Sequence, residues 1–481
     1  MKAMAFVCLG SMLAAGCAVG PNYHAPKASV PAAWVGAPET QQPSVVTEQP
    51  ANLARWWKQL RDPILTPLVD EALKANLSLA LAQANLRQAR AMRGIAAGAL
   101  WPSGTATAAY QREAGPQYSA TGGSSSHNLF LAGLDAAWEL DFFGGVRRNV
   151  ESATAGVEAA VENLRDVQVS IAAEVALDYL QLRGNQQEIV TARNNLKVEQ
   201  QTLEITRKLH DVGFDSGLEL AEQESIVAMT ESQIPVFESG ERQAIYALSV
   251  LLGRPPGDLM ERLSPTGDLP VLPQQIPAGL PSDLLRRRPD IRQAEAQLHS
   301  ATAQIGVAVA QLFPQFSLTG GATWQSTQVK NWFQSRSSLI GPSMNWPFFQ
   351  GGANIANVHA QQAMRDEAYV AYQQTVLTAL QDVENALIAF AEEQKHYKSL
   401  GDAVAADHKA VDLSLRLFQE GQTNFLNVLT TQRTLYTDDS ALTQSRENLG
   451  TDLIALYKAL GGGWEALPAL AKPARTGGTT P

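Results

Sequence analysis

Apolar positions in the last third of the chain recur in steps of three, four and seven. They fall at Leu377, Leu380, Val383, Leu387 and Phe390, then at Tyr397, Leu400, Val404, Val411, Leu415 and Phe418. That is the period of a helix that packs on other helices. Phe348 to Leu467 contains no proline, in a chain that has 25 of them. The pattern predicts one helix over Ala353–Gln419, a rod of roughly 100 Å at ~1.5 Å per residue. A turn at Glu420–Asn424 and a return helix from Phe425 to Leu460 follow. Rods this long are no core for a compact domain. They must lie sideways against other long helices, in this chain or in its copies.

The same plan occurs earlier. Gln117 to Ile234 also lacks proline, and a stripe at Leu164, Ile171, Val175, Tyr179, Leu182, Ile189, Leu196 and Leu203 predicts a helix over Val146–Leu209. A turn at Val212–Gly217 leads into a return over Leu218–Leu252. Adding 208 to Leu209, Gly213, Leu218, Leu248, Leu252 and Gly253 gives Leu417, Gly421, Leu426, Leu456, Leu460 and Gly461. Upstream, an offset of 212 maps Ala84, Leu86, Gly94, Leu100 and Pro102 onto Ala296, Leu298, Gly306, Leu312 and Pro314. Three blocks in order at nearly constant offset indicate a tandem duplication.

Between each first helix and its long hairpin the texture changes. Ser103–Arg112 and Asn128–Phe143 alternate in short steps and carry β-formers, with a Gly/Ser-rich loop between them. Gln315–Trp324 and Ser338–Phe349 repeat the pattern. Segments of ~10 residues with weak alternation and aromatic ends suit transmembrane β-strands. Trp138, Phe142, Phe143, Trp324, Trp346, Phe348 and Phe349 are the candidate interface aromatics. Four strands cannot close a spanning barrel, and open edges are forbidden in lipid, so copies of the chain are expected to complete it.

The organisation expected is a signal peptide over 1–16 and a lipid-anchored extended strap over 17–60. Repeat 1 covers 61–253, with a first helix to about Ala99, a β-hairpin at 103–143 and a helical hairpin at 146–252. A Pro-rich, irregular linker covers 254–289. Repeat 2 covers 290–461, with hairpins at 315–349 and 353–460, and a flexible tail covers 462–481. The start has one charge, Lys2, before an uncharged apolar run, the form of a secretory signal. The run is shorter than the about 20 apolar residues of a membrane helix. Leu13-Ala14-Ala15-Gly16-Cys17 resembles a bacterial lipobox, in which Cys17 is lipidated and becomes the first mature residue. Ala18, rather than Asp, then implies sorting to the outer membrane.

Net charge is −10 with 17% charged residues, which argues against nucleic acid as a partner. Arg286-Arg287-Arg288 is the exception, and its place before Pro289-Asp290 at a helix start gives it a structural or surface role. No phosphate-binding Gly-Lys-Ser/Thr loop appears, nor a Gly-x-Ser-x-Gly elbow. The histidines are scattered, without metal spacing. The expectation is no enzyme, no cofactor and no metal.

Cys17, Leu284-Leu285-Arg286-Arg287-Arg288-Pro289-Asp290-Ile291-Arg292, Phe349-Gln350-Gly351-Gly352 and Ala459-Leu460-Gly461-Gly462-Gly463-Trp464 carry a resemblance. Over essentially the whole mature chain they resemble the lipoprotein branch of the TolC-like outer-membrane factors, the OprM or NodT type. The resemblance implies mixed α and transmembrane β structure: a homotrimer with one twelve-stranded barrel, lying above a periplasmic tunnel of helical hairpins. It implies a periplasmic adaptor (a membrane fusion protein) and an inner-membrane pump, of the resistance-nodulation-division type, as partners. It places the adaptor contact at the turns, on Val212, Gly213 and Phe214 and on Glu420, Gly421 and Gln422. Asp211, Asp215 and Glu219 are candidate tip or gate charges. Some relatives carry an aspartate where this chain has Thr430, which puts a simple aspartate gate in doubt. The function implied is a passive exit duct for small molecules. A type I protein-secretion duct and a non-conducting structural envelope protein are the alternatives.

Overall fold

The computed structural model describes residues 18–28, 30–35, 45–47, 53–116, 124–213, 216–273, 275–277 and 279–466. In chain order these form strand β1 (Val45–Thr47), helices α1 (Leu65–Ala75) and α2 (Leu77–Gly98), and strands β2 (Ser103–Pro116) and β3 (Ser124–Leu140). Helices α3 (Gly145–Asp211), α4 (Gly217–Leu251) and α5 (Met260–Leu263) follow, then strand β4 (Gln275–Pro277) and helices α6 (Pro281–Arg287) and α7 (Pro289–Ala310). Strands β5 (Gln315–Ser326) and β6 (Arg336–Asn345) and helices α8 (Ala353–Gln419) and α9 (Phe425–Ala459) complete the chain. The expected signal over 1–16, with Cys17, and the tail beyond Ala466 lie outside the described residues. The chain divides into two units: one with the residues up to Lys27, Ala84–Val161 and Gln293–Gln374, the other with Ala28–Gln83, Glu162–Arg292 and Thr375 onward.

In the first unit, four strands form one antiparallel sheet in the order β2-β3-β5-β6. The β3–β5 pair joins the two repeats. The duplication shows in side-chain detail as well: the indole N–H of Trp138 donates to the Leu100 carbonyl (3.0 Å), and that of Trp346 donates to the Leu312 carbonyl (3.2 Å). Strands β3 and β6 end earlier than the sequence pattern suggests. At the end of β3, Asp141 turns away to accept the backbone N–H groups of Val146 and Arg147, capping α3. Phe142 and Phe143 therefore leave the sheet and pack on Phe316 and Phe313. Strand β6 stops at Asn345, so Trp346, Phe348 and Phe349 also lie outside it. Towards the loop, β2 and β3 run into the segment expected to be irregular, because ladder pairing needs no large side chains.

The N-terminal segment is clamped onto this unit. Val19 N–H donates to the Phe143 carbonyl (3.0 Å). Buried Arg148 donates to the Val19 carbonyl (3.2 Å) and to Asn22 Oδ1 (2.7 Å). Tyr23 stacks on His299 at 4.3 Å between centroids, and its hydroxyl donates to Glu295.

In the second unit, the first helix of repeat 1 is not continuous to Ala99. It breaks at Asn76, which adopts φ −62°, ψ 133°. The Asn76 side chain accepts the N–H groups of Ser78 and Leu79, capping α2, and donates to the Leu251 carbonyl. The strap is not extended throughout. Trp56–Leu60 form a 3-10 turn in which Trp56 and Trp57 are fully buried, and Trp56 stacks on Tyr457 at 5.0 Å. Burial of each such ring is worth about 5 kcal/mol before entropy, enough to dock an otherwise irregular segment. Nor is the linker irregular throughout: it carries α5, β4 and α6, and β4 pairs in parallel with β1 of the strap. Arg288 is structural. It bridges Asp290 (2.7 Å) and Asp382 (3.1 Å) and donates to the Ala459 carbonyl at the end of α9.

The long helices in this unit meet through polar seams as well as apolar stripes. Gln223 of α4 donates to the Glu199 carbonyl of α3, and the Thr230 hydroxyl donates to the Glu199 carboxylate. Gln432 of α9 donates to Thr202 of α3 at 2.9 Å. Glu188, buried on α3, accepts from the Ser440 hydroxyl of α9, and the Glu447 carboxylate lies over Gly184, where a Cβ would stand. Burial pushes Glu188 up to about 7. Burial, reinforced by the charge of Glu188, does the same to Glu447. A carboxyl whose folded value is raised binds more protons in the folded state, so its contribution favours folding increasingly as pH falls from about 8 to about 6. Thermal unfolding in detergent is therefore expected to shift upward across that window. Glu447→Gln should raise the midpoint at pH ~8 and flatten the pH dependence; an unchanged pH profile would contradict the assignment.

Candidate functional site

The register places even-numbered residues of β2, β3, β5 and β6 on one face and odd-numbered residues on the other. Over the middle of the sheet the even face reads Ala106, Ala108, Ala132, Leu134, Ala136, Leu318, Ala322, Ile340 and Met344, with Ser338 as its polar exception. The odd face reads Thr105, Thr107, Asp135, Ser317, Thr319, Thr323, Ser337 and Ser343, with Ala109, Leu129, Leu131, Ala137 and Leu339 as apolar exceptions. Leu134 and Ile340 on the even face are solvent-exposed at 54% and 79%. Phe130 and Trp138 bound that face on β3. Eight residues of strand separate them, roughly 27 Å along the strand, or about 20 Å of height at the ~40° tilt of outer-membrane barrels, which falls within their ~25 Å apolar band. Tyr110 and Trp324 join Phe130 at the loop end, where Arg112 and Arg336 share the same face. On the odd face, Ser317 and Ser343 are hydrogen-bonded across β5 and β6 at 2.7 Å. Among the described residues no helix is long and apolar enough to cross a membrane, and no group of three His, Cys, Asp or Glu could hold a metal ion.

The two helical hairpins reverse on glycines. Gly421 has φ +72°; its N–H donates to the Phe418 carbonyl, and Gln422 N–H donates to the Leu417 carbonyl. This paired closure is the Schellman motif, which needs a left-handed residue. Gly213 has φ +80° and donates to the His210 carbonyl. A Cβ at either glycine would meet nothing within 4 Å, so backbone conformation alone demands glycine there. Behind the second turn Phe425 is fully buried against Phe418, in a cluster with Val428, Leu429, Leu415 and Ile226. Asn424 caps α9 through the Asn427 N–H. Further back, Asp407 of α8 and Asp438 of α9 face one another. Burial and a hydrogen bond shared with Asp438 hold Asp407 above its ordinary value.

Of the residues singled out in the sequence, Val212 is 67% exposed beside Gly213, and Asp211, Glu420 and Gln422 are exposed. Gln422 donates to the Glu420 carboxylate at 3.0 Å. Glu219 accepts the Ser216 N–H (2.8 Å), so its carboxylate caps α4. Thr430 is exposed and its hydroxyl bonds back to the Leu426 carbonyl. Cys17, Phe214 and Asp215 lie outside the described residues. The sequence reading missed Asn424 as a cap and Phe425 as the tip core, although an Asn directly before an apolar helical run is the ordinary signal for a cap.

Soluble antiparallel sheets also have one apolar face, but they pack it on a core. Here that face is exposed at Leu134, Ile340 and Met344, the form of a membrane-pore wall. Similarity to known proteins makes the chain an outer-membrane channel subunit. The model of the outer membrane efflux protein family matches it twice, over residues 68–254 and 280–462, one match in each half. The chain belongs to this family. It is 33% identical over 424 residues to the pyoverdine export outer membrane protein OpmQ of Pseudomonas aeruginosa, across 86% of this chain and 89% of that protein. It is 32% identical over 472 residues to the antibiotic efflux pump outer membrane protein ArpC of Pseudomonas putida, across 96% of each. The solved structure of the outer-membrane channel OprN matches with a TM-score of 0.86 at 34% identity, covering 93% of this chain and 100% of that one. The family is one of efflux channels rather than of enzymes.

Because Gly421 is set by conformation and not by space, Gly421→Ala should destabilise the second hairpin by about 1 kcal/mol, and Gly421→Asn by less. Amide exchange over 415–429 would rise from wild type to the Asn variant and again to the Ala variant. Equal protection in all three proteins would contradict the left-handed requirement.

Proposed function

We propose that three copies of this chain, each adding four strands, close a twelve-stranded barrel in the outer membrane. The assembly is the passive exit duct of a tripartite exporter. The carrying observation is the two-faced sheet with β2 and β6 at its edges, which have no partner among the described residues. The even face meets lipid and the odd face lines the lumen. The helical hairpins continue into the periplasm as a tunnel, and an adaptor docks at the turns around Gly213 and Gly421. The energy comes from an inner-membrane pump of the resistance-nodulation-division type. Small molecules are the cargo class, a reading supported by the antibiotic efflux named for ArpC. At rest the turn regions narrow the mouth. Adaptor binding favours a splayed arrangement, to the extent of its differential affinity for the two states.

Lipidation of Cys17 fits this arrangement. Ala18 packs on Gly144, close after the end of β3, and Arg148 clamps the residues that follow. Ala18, the residue that follows Cys17 in sequence, is thereby held beside the end of β3, and we place the acyl chains in the inner leaflet next to it. Several chains on one residue anchor strongly.

Deletion of the chain should make its host hypersensitive to several unrelated compounds, and the wild-type chain should restore resistance. Cys17→Ser should restore it in part, because the barrel still inserts. A host with no change in susceptibility, together with a purified protein that gives no conductance in a planar bilayer, would replace the duct with a structural envelope role.

A further inference from the structure

We infer that the lumen of the barrel selects for cations and that Asp135 sets this selectivity. The inference rests on the proposed closure of the sheet by copies of the chain. On the odd, lumen-facing side, the only charged side chains among the described residues are those of Glu113, Asp135 and Glu139, beside His127. No Lys or Arg of the strands stands there. Both strand arginines, Arg112 and Arg336, belong to the even face. The sheet therefore sorts its charges by sign as well as its side chains by polarity. A pore wall needs only the second kind of sorting.

The three carboxylates are not equivalent. Glu113 sits near the hairpin end, 3.3 Å from His127. Glu139 is one residue from the end of β3. Asp135 stands within the strand, directly across from Thr105 on β2 and Gly321 on β5. Its carboxylate lies along the wall over two glycines. A Cβ at Gly321 would come 2.7 Å from Oδ1, and one at Gly133 would come 3.5 Å from Oδ2. It is the one charge lining a hollow of about 350 Å³, whose other polar groups are the hydroxyls of Ser103, Thr105, Thr319, Thr323 and Ser337.

A carboxylate among neutral hydroxyl oxygens, with no ammonium or guanidinium to cancel it, attracts a passing hydrated cation and repels an anion. Repeated in each copy, it forms a ring of the kind that makes pores cation-selective.

The test uses the purified full-length assembly in a planar bilayer under a KCl gradient, each variant first shown to form the same oligomer as wild type. Wild type should show a reversal potential of cation-selective sign. Asp135→Asn should lower the K⁺/Cl⁻ permeability ratio by roughly threefold or more, since one charge is lost from every copy. Asp135→Lys should reverse the sign, while Arg112→Gln, on the opposite face, should leave it unchanged. A non-selective wild type, or an Asp135→Asn ratio equal to wild type, overturns the inference while the duct stands. Loss of selectivity in Glu420→Gln but not in Asp135→Asn assigns the filter to the turns and also overturns it. Absence of conductance in every variant overturns the duct reading itself, and the inference with it.

Discussion

Hydrocarbon offers no hydrogen-bond partner, so each unpaired backbone N–H or C=O at membrane depth costs several kcal/mol. The four strands satisfy one another across β2-β3-β5-β6, but among the described residues nothing pairs with the outer edges of β2 and β6. That constraint makes a single copy unfit for lipid, and it ties the remaining features together. On the proposed closure the even face is apolar because it meets acyl chains, and the odd face is free to carry hydroxyls and carboxylates because it does not. Oligomerisation is then a condition of insertion rather than an addition to a finished fold.

Much of the helical part is legible in the sequence, because period and proline content speak together over long spans. The stripe from Leu377 to Phe418 and its counterpart from Leu164 to Leu203 leave little else for those segments to be. Local departures are harder to see. The break at Asn76 is hidden because Leu73 and Leu77 keep the apolar stripe in phase across it. Only the side chain of Asn76, which caps α2 while reaching the Leu251 carbonyl, shows why the helix stops. Glu219 reads as a free tip charge until its bond to Ser216 is seen, although the Ser-x-x-Glu spacing was itself a capping signal. Asp135 is the least legible. It sits in Ala132-Gly133-Leu134-Asp135-Ala136-Ala137-Trp138, and only the register with Thr105 and Gly321 tells which side of the wall it faces.

The helical seams answer a different need. Under the proposed gating, a wall that rearranges cannot be held only by large apolar contacts, which separate at high cost. Between α3, α4 and α9 the contacts alternate with Gln223–Glu199, Gln432–Thr202 and Ser440–Glu188. Such bonds, unlike buried apolar surface, can be exchanged for bonds to water. Burial has pushed Glu188 and Glu447 up to about 7, so both strain the seam when ionised. Near the second turn the apolar packing gathers around Phe425 and Phe418 and takes in Ile226 of α4, so it ties the second hairpin to the first as well as closing its own turn.

The most direct test of the central claim is the mass of the intact assembly. Native mass spectrometry of the full-length protein, extracted in mild detergent, should give a species of three times the protomer mass and no stable monomer. A monomer as the dominant species, with β2 and β6 protected from amide exchange, would show that a single copy satisfies its own edges and would contradict the account.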